Sequence, residues 1–116
     1  MSIKIYHNPR CSKSRQTLQL LEDRGIEPTI VAYLTTPPDA NELAAVLEQL
    51  GKTVDEIMRT GEDAYKACKT EVAAMNDAEK LQWLSEHPKV IQRPIVINGD
   101  RARIGRPPES VLEILS

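Results

Sequence analysis

Apolar residues in this chain come in short bursts with two rhythms, and the rhythm changes wherever glycine or proline intervenes. Ile3 to Tyr6 is a β-branched and aromatic run that fits a buried strand. Asn8-Pro9 breaks it, because proline cannot donate to a ladder and biases the residue before it toward extended geometry. Beyond Cys11 the spacing becomes helical. Leu18 and Leu21 share a face, Leu20 lies beside them, and Gly25 supplies a C-terminal stop. Thr29 to Leu34 predicts a second strand, which makes a βαβ unit with its two strands parallel. Thr35-Thr36-Pro37-Pro38 ends it. Asp39 with Glu42 then resembles a capping box, and Leu43, Val46, Leu47 and Leu50 keep helical spacing as far as Gly51.

From Lys52 to Pro88 the pattern differs. Thr53-x-x-Glu56 and Asn76-x-x-Glu79 both predict helix starts, and Leu81, Trp83 and Leu84 give the second helix an apolar side before His87-Pro88 ends it. Gly61 to Met75 has weak periodicity and predicts only short helical turns. Ile95 to Asn98 then reads as a strand, Gly99-Asp100 as a turn, and Arg101 to Ile104 as the antiparallel partner. Pro107-Pro108-Glu109 opens a last helix carrying Val111, Leu112, Ile114 and Leu115. The predicted order is β-α-β-α, helical insert, β-β-α. That is an α/β fold with a four-stranded mixed sheet of thioredoxin type. It forms a single domain over residues 1–116, with a helical insert at about 39–88 before the C-terminal hairpin.

Composition narrows the picture. A chain of 116 residues suffices for one domain with a real core, and with Phe absent and Trp83 alone that core is mostly aliphatic. The net charge of −2 conceals a segregation. No acid precedes Glu22, whereas Lys4, Arg10, Lys13 and Arg15 do. Lys89, Arg93, Arg101, Arg103 and Arg106 face only Asp100 in the stretch from Lys89 to Pro108. This suggests a local positive site rather than a nucleic-acid surface. No run reaches the length of a membrane span and no apolar signal region opens the chain, so a cytoplasmic protein is expected. Cys11 and Cys68 are too few for a disulfide scaffold, and the two histidines give no zinc-ligand spacing.

Chemistry concentrates at Cys11, where a strand hands over to a helix N-terminus. Free backbone N–H groups and the positive end of the helix dipole meet there, a setting that lowers a thiol's pKa and attracts an oxyanion. A lone Cys is more often a small buried hydrophobe. The neighbours His7, Asn8, Arg10, Ser12, Lys13, Ser14 and Arg15 argue instead for a reactive thiolate. The motif C-x-x-S lacks a second thiol, so a covalent or mixed-disulfide intermediate at Cys11 has no resolving partner in the loop. His7 is either a positive neighbour that favours the thiolate or a polar residue at a strand end. Cys68, in KACKTE, reads as an incidental thiol on a helical turn more readily than as a resolving one. Arg93 and Arg106 each precede a proline, at opposite ends of the predicted hairpin, and guanidinium groups suit a tetrahedral oxyanion. Arg101 and Arg103 read as surface charges, and Arg59 is ambiguous on its own.

HNPRCSKSR, followed by LLEDRGIEP and then by RPIVINGDRARIGRP, closely resembles the glutaredoxin-coupled arsenate reductase family over essentially the whole chain. The resemblance implies a thioredoxin-like fold with a helical insertion and a cis Arg93-Pro94 bond. It implies Cys11 as the nucleophile, His7 as the histidine that stabilises its thiolate, and Arg59, Arg93 and Arg106 as oxyanion-binding residues. It also implies a reaction. The Cys11 thiolate attacks arsenate with loss of water, glutathione attacks the adduct, and glutaredoxin removes glutathione as a mixed disulfide with release of arsenite. Glutathione is then a co-substrate, with no bound cofactor, and the partners are arsenate, glutathione and glutaredoxin, with neither nucleic acid nor membrane. Two alternatives share the fold. A thiol-based transcriptional regulator usually switches through C-x-x-C, and Ser14 replaces that second Cys. A monothiol glutaredoxin-like oxidoreductase fits C-x-x-S but leaves the arginines without a task. Phosphatase-like arsenate reductases use C-x5-R, and Thr17 stands where that arginine is required.

Overall fold

The computed structural model describes residues 3–115. Four strands, β1 (Ile3–Tyr6), β2 (Thr29–Val31), β3 (Ile95–Asn98) and β4 (Arg101–Ile104), form one sheet in the order β2-β1-β3-β4. β1 runs parallel to β2 and antiparallel to β3, and β3 pairs antiparallel with β4, the mixed sheet the sequence predicts. The helices are α1 (Ser12–Asp23), α2 (Ala40–Leu50), α3 (Asp63–Ala73) and α4 (Asp77–Glu86). The chain divides into two compact units. One runs up to Thr36 and resumes at Arg93; the other is Pro37–Gln92.

In the first unit, alternation along β1 decides which side chains enter the core. Ile3 and Ile5 are buried on one face, and Lys4 between them is exposed. Ile5 lies opposite Val96, and Ile3, Ile5 and Val96 cluster with Leu21 of α1 and with Val111 and Ile114. Tyr6, on the opposite face from Ile5, stacks against the fully buried Tyr33 with ring centroids 6.3 Å apart. The hairpin closes through Gly99 and Asp100. Gly99, at φ 65, supplies the positive angle needed at the first position of this two-residue turn.

Two elements differ from their sequence prediction. β2 stops at Val31 rather than Leu34, because the backbone N–H groups of Thr35 and Thr36 and the Thr35 hydroxyl all donate to the Ala32 carbonyl. Tyr33 therefore contributes burial from a turn. The last helix is a 3₁₀ helix over Pro108–Ile114, and its buried residues Pro108, Val111 and Ile114 recur every third position, the period of that helix. Arg103 of β4 ties it to the sheet through an ion pair with Glu113 at 2.9 Å.

The second unit is helical. The Asp39 side chain accepts the Glu42 N–H at 2.8 Å and Gly51 ends α2 at φ 68, so both caps fall where the sequence sets them. Asn76 and Glu79 form a reciprocal capping box on α4, with Trp83 and Leu84 buried along it. Thr53 and Glu56 do bond to each other, but only a single 3₁₀ turn, Asp55–Ile57, follows. Gly61 to Met75 holds more structure than predicted, since α3 is a full eleven-residue helix. Val72 is its one fully buried side chain, which leaves little apolar rhythm to detect. Among the described residues no helix is long and apolar enough to cross a membrane.

Candidate functional site

Between the end of β1 and the start of α1 the chain folds back on itself. The Cys11 N–H donates to the Asn8 carbonyl at 3.0 Å, and the Cys11 carbonyl accepts the Arg15 N–H at 3.0 Å, so Cys11 occupies the N-cap of α1 with extended backbone angles. Asn8 Oδ1 accepts the Arg10 N–H, and Arg15 Nη1 donates to the Pro9 carbonyl, which fixes the loop from both sides. No formal cap bond closes on the Cys11 side chain. The N–H groups of Ser14 and Lys13 are nonetheless turned toward its sulfur, and no acid occupies the first turn of α1.

The hairpin delivers two cations to the same atom. β3 pairs beside β1, which brings Arg93, two residues before β3, and Arg106, two residues after β4, to the Cys11 loop. Arg106 Nη2 donates to Cys11 Sγ at 3.4 Å, and Arg106 Nε donates to the Arg93 carbonyl at 2.7 Å. The Arg93 guanidinium also bonds the sulfur. Burial pushes the Cys11 thiol up. The Ser14 N–H, the Arg93 guanidinium, the Lys13 N–H and the Arg106 charge outweigh it, and the thiol lies below its ordinary value. Both X-Pro bonds at these arginines are cis. Arg93-Pro94 is as expected, and Arg106-Pro107 was not foreseen from the sequence.

His7 enters differently from the cation the sequence allowed for. It is buried, with Nδ1 2.6 Å from Ser14 Oγ, and that same hydroxyl oxygen accepts the Asn8 N–H at 3.0 Å. Burial lowers the His7 pKa, the positive charge of Arg15 lowers it further, and Glu22 opposes them. Together these favour the neutral imidazole. His7 acts on the thiol loop through Ser14, whose side chain is fully buried and whose N–H faces the sulfur. Ser14 is the site residue that sequence reasoning passed over. In the sequence it stands only as one polar neighbour of Cys11 and as the residue in place of a second thiol.

The second unit holds the remaining candidates. The Arg59 N–H donates to the Val90 carbonyl at 2.7 Å, and Arg59 Nε lies 3.8 Å from Glu62 Oε1. Cys68 is half-buried on α3. Among the described residues no group of three or more His, Cys, Asp or Glu side chains is arranged to hold a metal ion. The first unit thus brings Cys11, Arg93 and Arg106 together. A polarised nucleophile faces two forked donors that can carry negative charge on a tetrahedral oxyanion bonded to it.

A model of the ArsC family matches residues 6–114. The chain is 52% identical over 116 residues to an arsenate reductase of Haemophilus influenzae, covering 99% of this chain and 100% of that one. It is 49% identical over 114 residues to an uncharacterised protein of Escherichia coli, covering 97% and 96%. Among solved structures it resembles an arsenate reductase from Vibrio cholerae at a TM-score of 0.94 and 49% identity, over 99% of this chain and 98% of that one.

Proposed function

The chain belongs to the ArsC family, and from that premise we propose that it reduces arsenate to arsenite at Cys11. The observation that carries this reading is the convergence of Arg93 and Arg106, from opposite ends of a hairpin, on one helix-capping sulfur. The thiolate attacks arsenic(V), a sulfur–arsenic bond forms, and an arsenate oxygen leaves as water. The two guanidiniums hold the charge of the adduct. Conversion of arsenic(V) to arsenic(III) takes up two electrons, and two thiols supply them by forming one disulfide. Cys11 provides one. With Ser14 at the position where a second loop thiol would stand, the other comes from outside, and glutathione is the proposed donor. Glutaredoxin then removes glutathione as a mixed disulfide, and Cys11 returns as the thiol. For Arg59 the oxyanion role rests on the family resemblance alone. Dependence on a reduced thiol pool is the reason to place the reaction in the cytoplasm.

The test is arsenite formation from arsenate with glutathione and glutaredoxin, each omitted in turn. No arsenite is expected without glutathione, and arsenite beyond one equivalent per Cys11 is expected only when both are present. Equal rates without glutaredoxin would remove it from the scheme. Release of glutathione from mixed disulfides with no arsenite at all would put the monothiol oxidoreductase reading in its place.

A further inference from the structure

Gly105 lies between β4 and Arg106 and is buried, and its backbone N–H donates to the Pro94 carbonyl at 2.9 Å. A Cβ at this position would lie 2.5 Å from Thr17 Oγ1, 2.8 Å from Pro94 Cγ and 3.1 Å from Thr17 Cγ2. Its φ is not in the left-handed region, so the demand for glycine is one of space and not of backbone conformation. Thr17 cannot readily yield. Its side chain is fully buried, and its hydroxyl donates to the Lys13 carbonyl one turn back at 2.8 Å, which holds the rotamer.

Thr17 and Cys11 belong to the same helical segment, Cys11 as the cap of α1 and Thr17 six residues on, roughly 9 Å along the axis. The chain leaves the Gly105 contact directly into Arg106. That side chain runs back to Cys11 Sγ, with Nε on the Arg93 carbonyl along the way. One rigid helix therefore sets the position of the thiol at its start and a wall for the hairpin end in its second turn. We infer that Gly105 is a positioning residue, seated against Thr17 and Pro94, and that this seat fixes how closely Arg106 approaches Cys11. The inference rests on the reading of Cys11 as the nucleophile, but it also makes a claim about the thiol that no arsenate measurement is needed to check.

The experiment compares wild type, Gly105→Ala, Thr17→Ala and the double variant in two assays: iodoacetamide alkylation of Cys11 against pH, and steady-state arsenate reduction. Displacement of a positioned group by about 1 Å can cost on the order of a hundredfold in rate. Gly105→Ala is expected to lose about that much in kcat/KM for arsenate. Its alkylation profile should move toward that of an ordinary thiol, and Thr17→Ala in the same chain should recover part of both losses by vacating the wall. A folded Gly105→Ala with wild-type alkylation and wild-type kcat/KM overturns the inference. If Gly105→Ala does not fold, Thr17→Ala alone decides, because it opens space instead of filling it. An alkylation profile shifted toward the ordinary thiol supports the seat, and an unshifted one rejects it. Failure of the proposed activity is a separate result: a Cys11 profile that responds to Gly105→Ala in a protein that makes no arsenite keeps the positioning role and discards the substrate.

Discussion

Cys11→Ser abolishes arsenite formation, with an expected loss of at least about 10⁴-fold, and leaves the fold in place. The substitution is nearly isosteric at a half-buried helix cap, and serine is a favoured residue there, so far-ultraviolet circular dichroism should not change. What is lost is an ionisable sulfur. Two guanidiniums and two backbone N–H groups can hold a thiol below its ordinary value, but the same groups cannot ionise an alcohol near neutral pH. An alcohol also cannot pass through the mixed disulfide that returns the enzyme to its starting state. Cys68→Ser, on α3, is expected to keep wild-type turnover. Arsenite production by Cys11→Ser within tenfold of wild type would sink the nucleophile assignment.

Arg106→Lys and Arg93→Lys should each lower kcat/KM on the order of 10²–10³-fold, equivalent to about 2.7–4 kcal/mol of transition-state stabilisation. Arg106 shows why lysine is no substitute. Its Nε binds the Arg93 carbonyl while its Nη2 binds Cys11 Sγ, so two nitrogens of one planar fork serve two acceptors at once. A lysine offers a single nitrogen on a flexible stem and must give up one of them. Arg101→Lys, exposed at the turn end of the same hairpin, is the control and should stay within a factor of two. Sulfate competition should weaken in the two site variants and not in the control. If Arg101→Lys loses as much as the others, the effect is one of diffuse charge and the pair has no special role.

The readable parts of this chain were those where one physical signal dominates. β1, α1 and the closing hairpin each combine a clean apolar period with a glycine or proline boundary, and each formed as expected. Because β3 had to pair beside β1, the meeting of Arg93 and Arg106 near Cys11 followed from topology. α3 was missed because its only fully buried side chain is Val72, so burial wrote almost no pattern into its sequence. The closing 3₁₀ helix was read as α because Val111, Leu112, Ile114 and Leu115 fit either period. Pro108 as a third buried position decides it, and that required the fold. Ser14 and Gly105 were opaque for a related reason. Each works through a contact that only the fold makes, Ser14 with His7 across the folded-back loop and Gly105 with Thr17 and Pro94 on other elements, and neither contact leaves a periodic trace in the sequence.

The sulfur's ionisation is coupled to the fold through the groups that lower its pKa: the Ser14 N–H, the Arg93 guanidinium, the Lys13 N–H and the charge of Arg106, which stands 95 positions along the chain. The folded thiol ionises below its ordinary value, so between the folded and unfolded values the unfolded chain holds more protons, and stability rises with pH across that window. The contribution is complete above the unfolded thiol value and is lost as pH falls through the folded one. A neutral adduct such as a carbamidomethyl cap removes it altogether. The capped protein should therefore melt below the free one at alkaline pH, with the gap closing on acidification. The charge on one sulfur thus adds to the hold between the cap of α1 and the two arginines that flank the hairpin, and a neutral cap subtracts it.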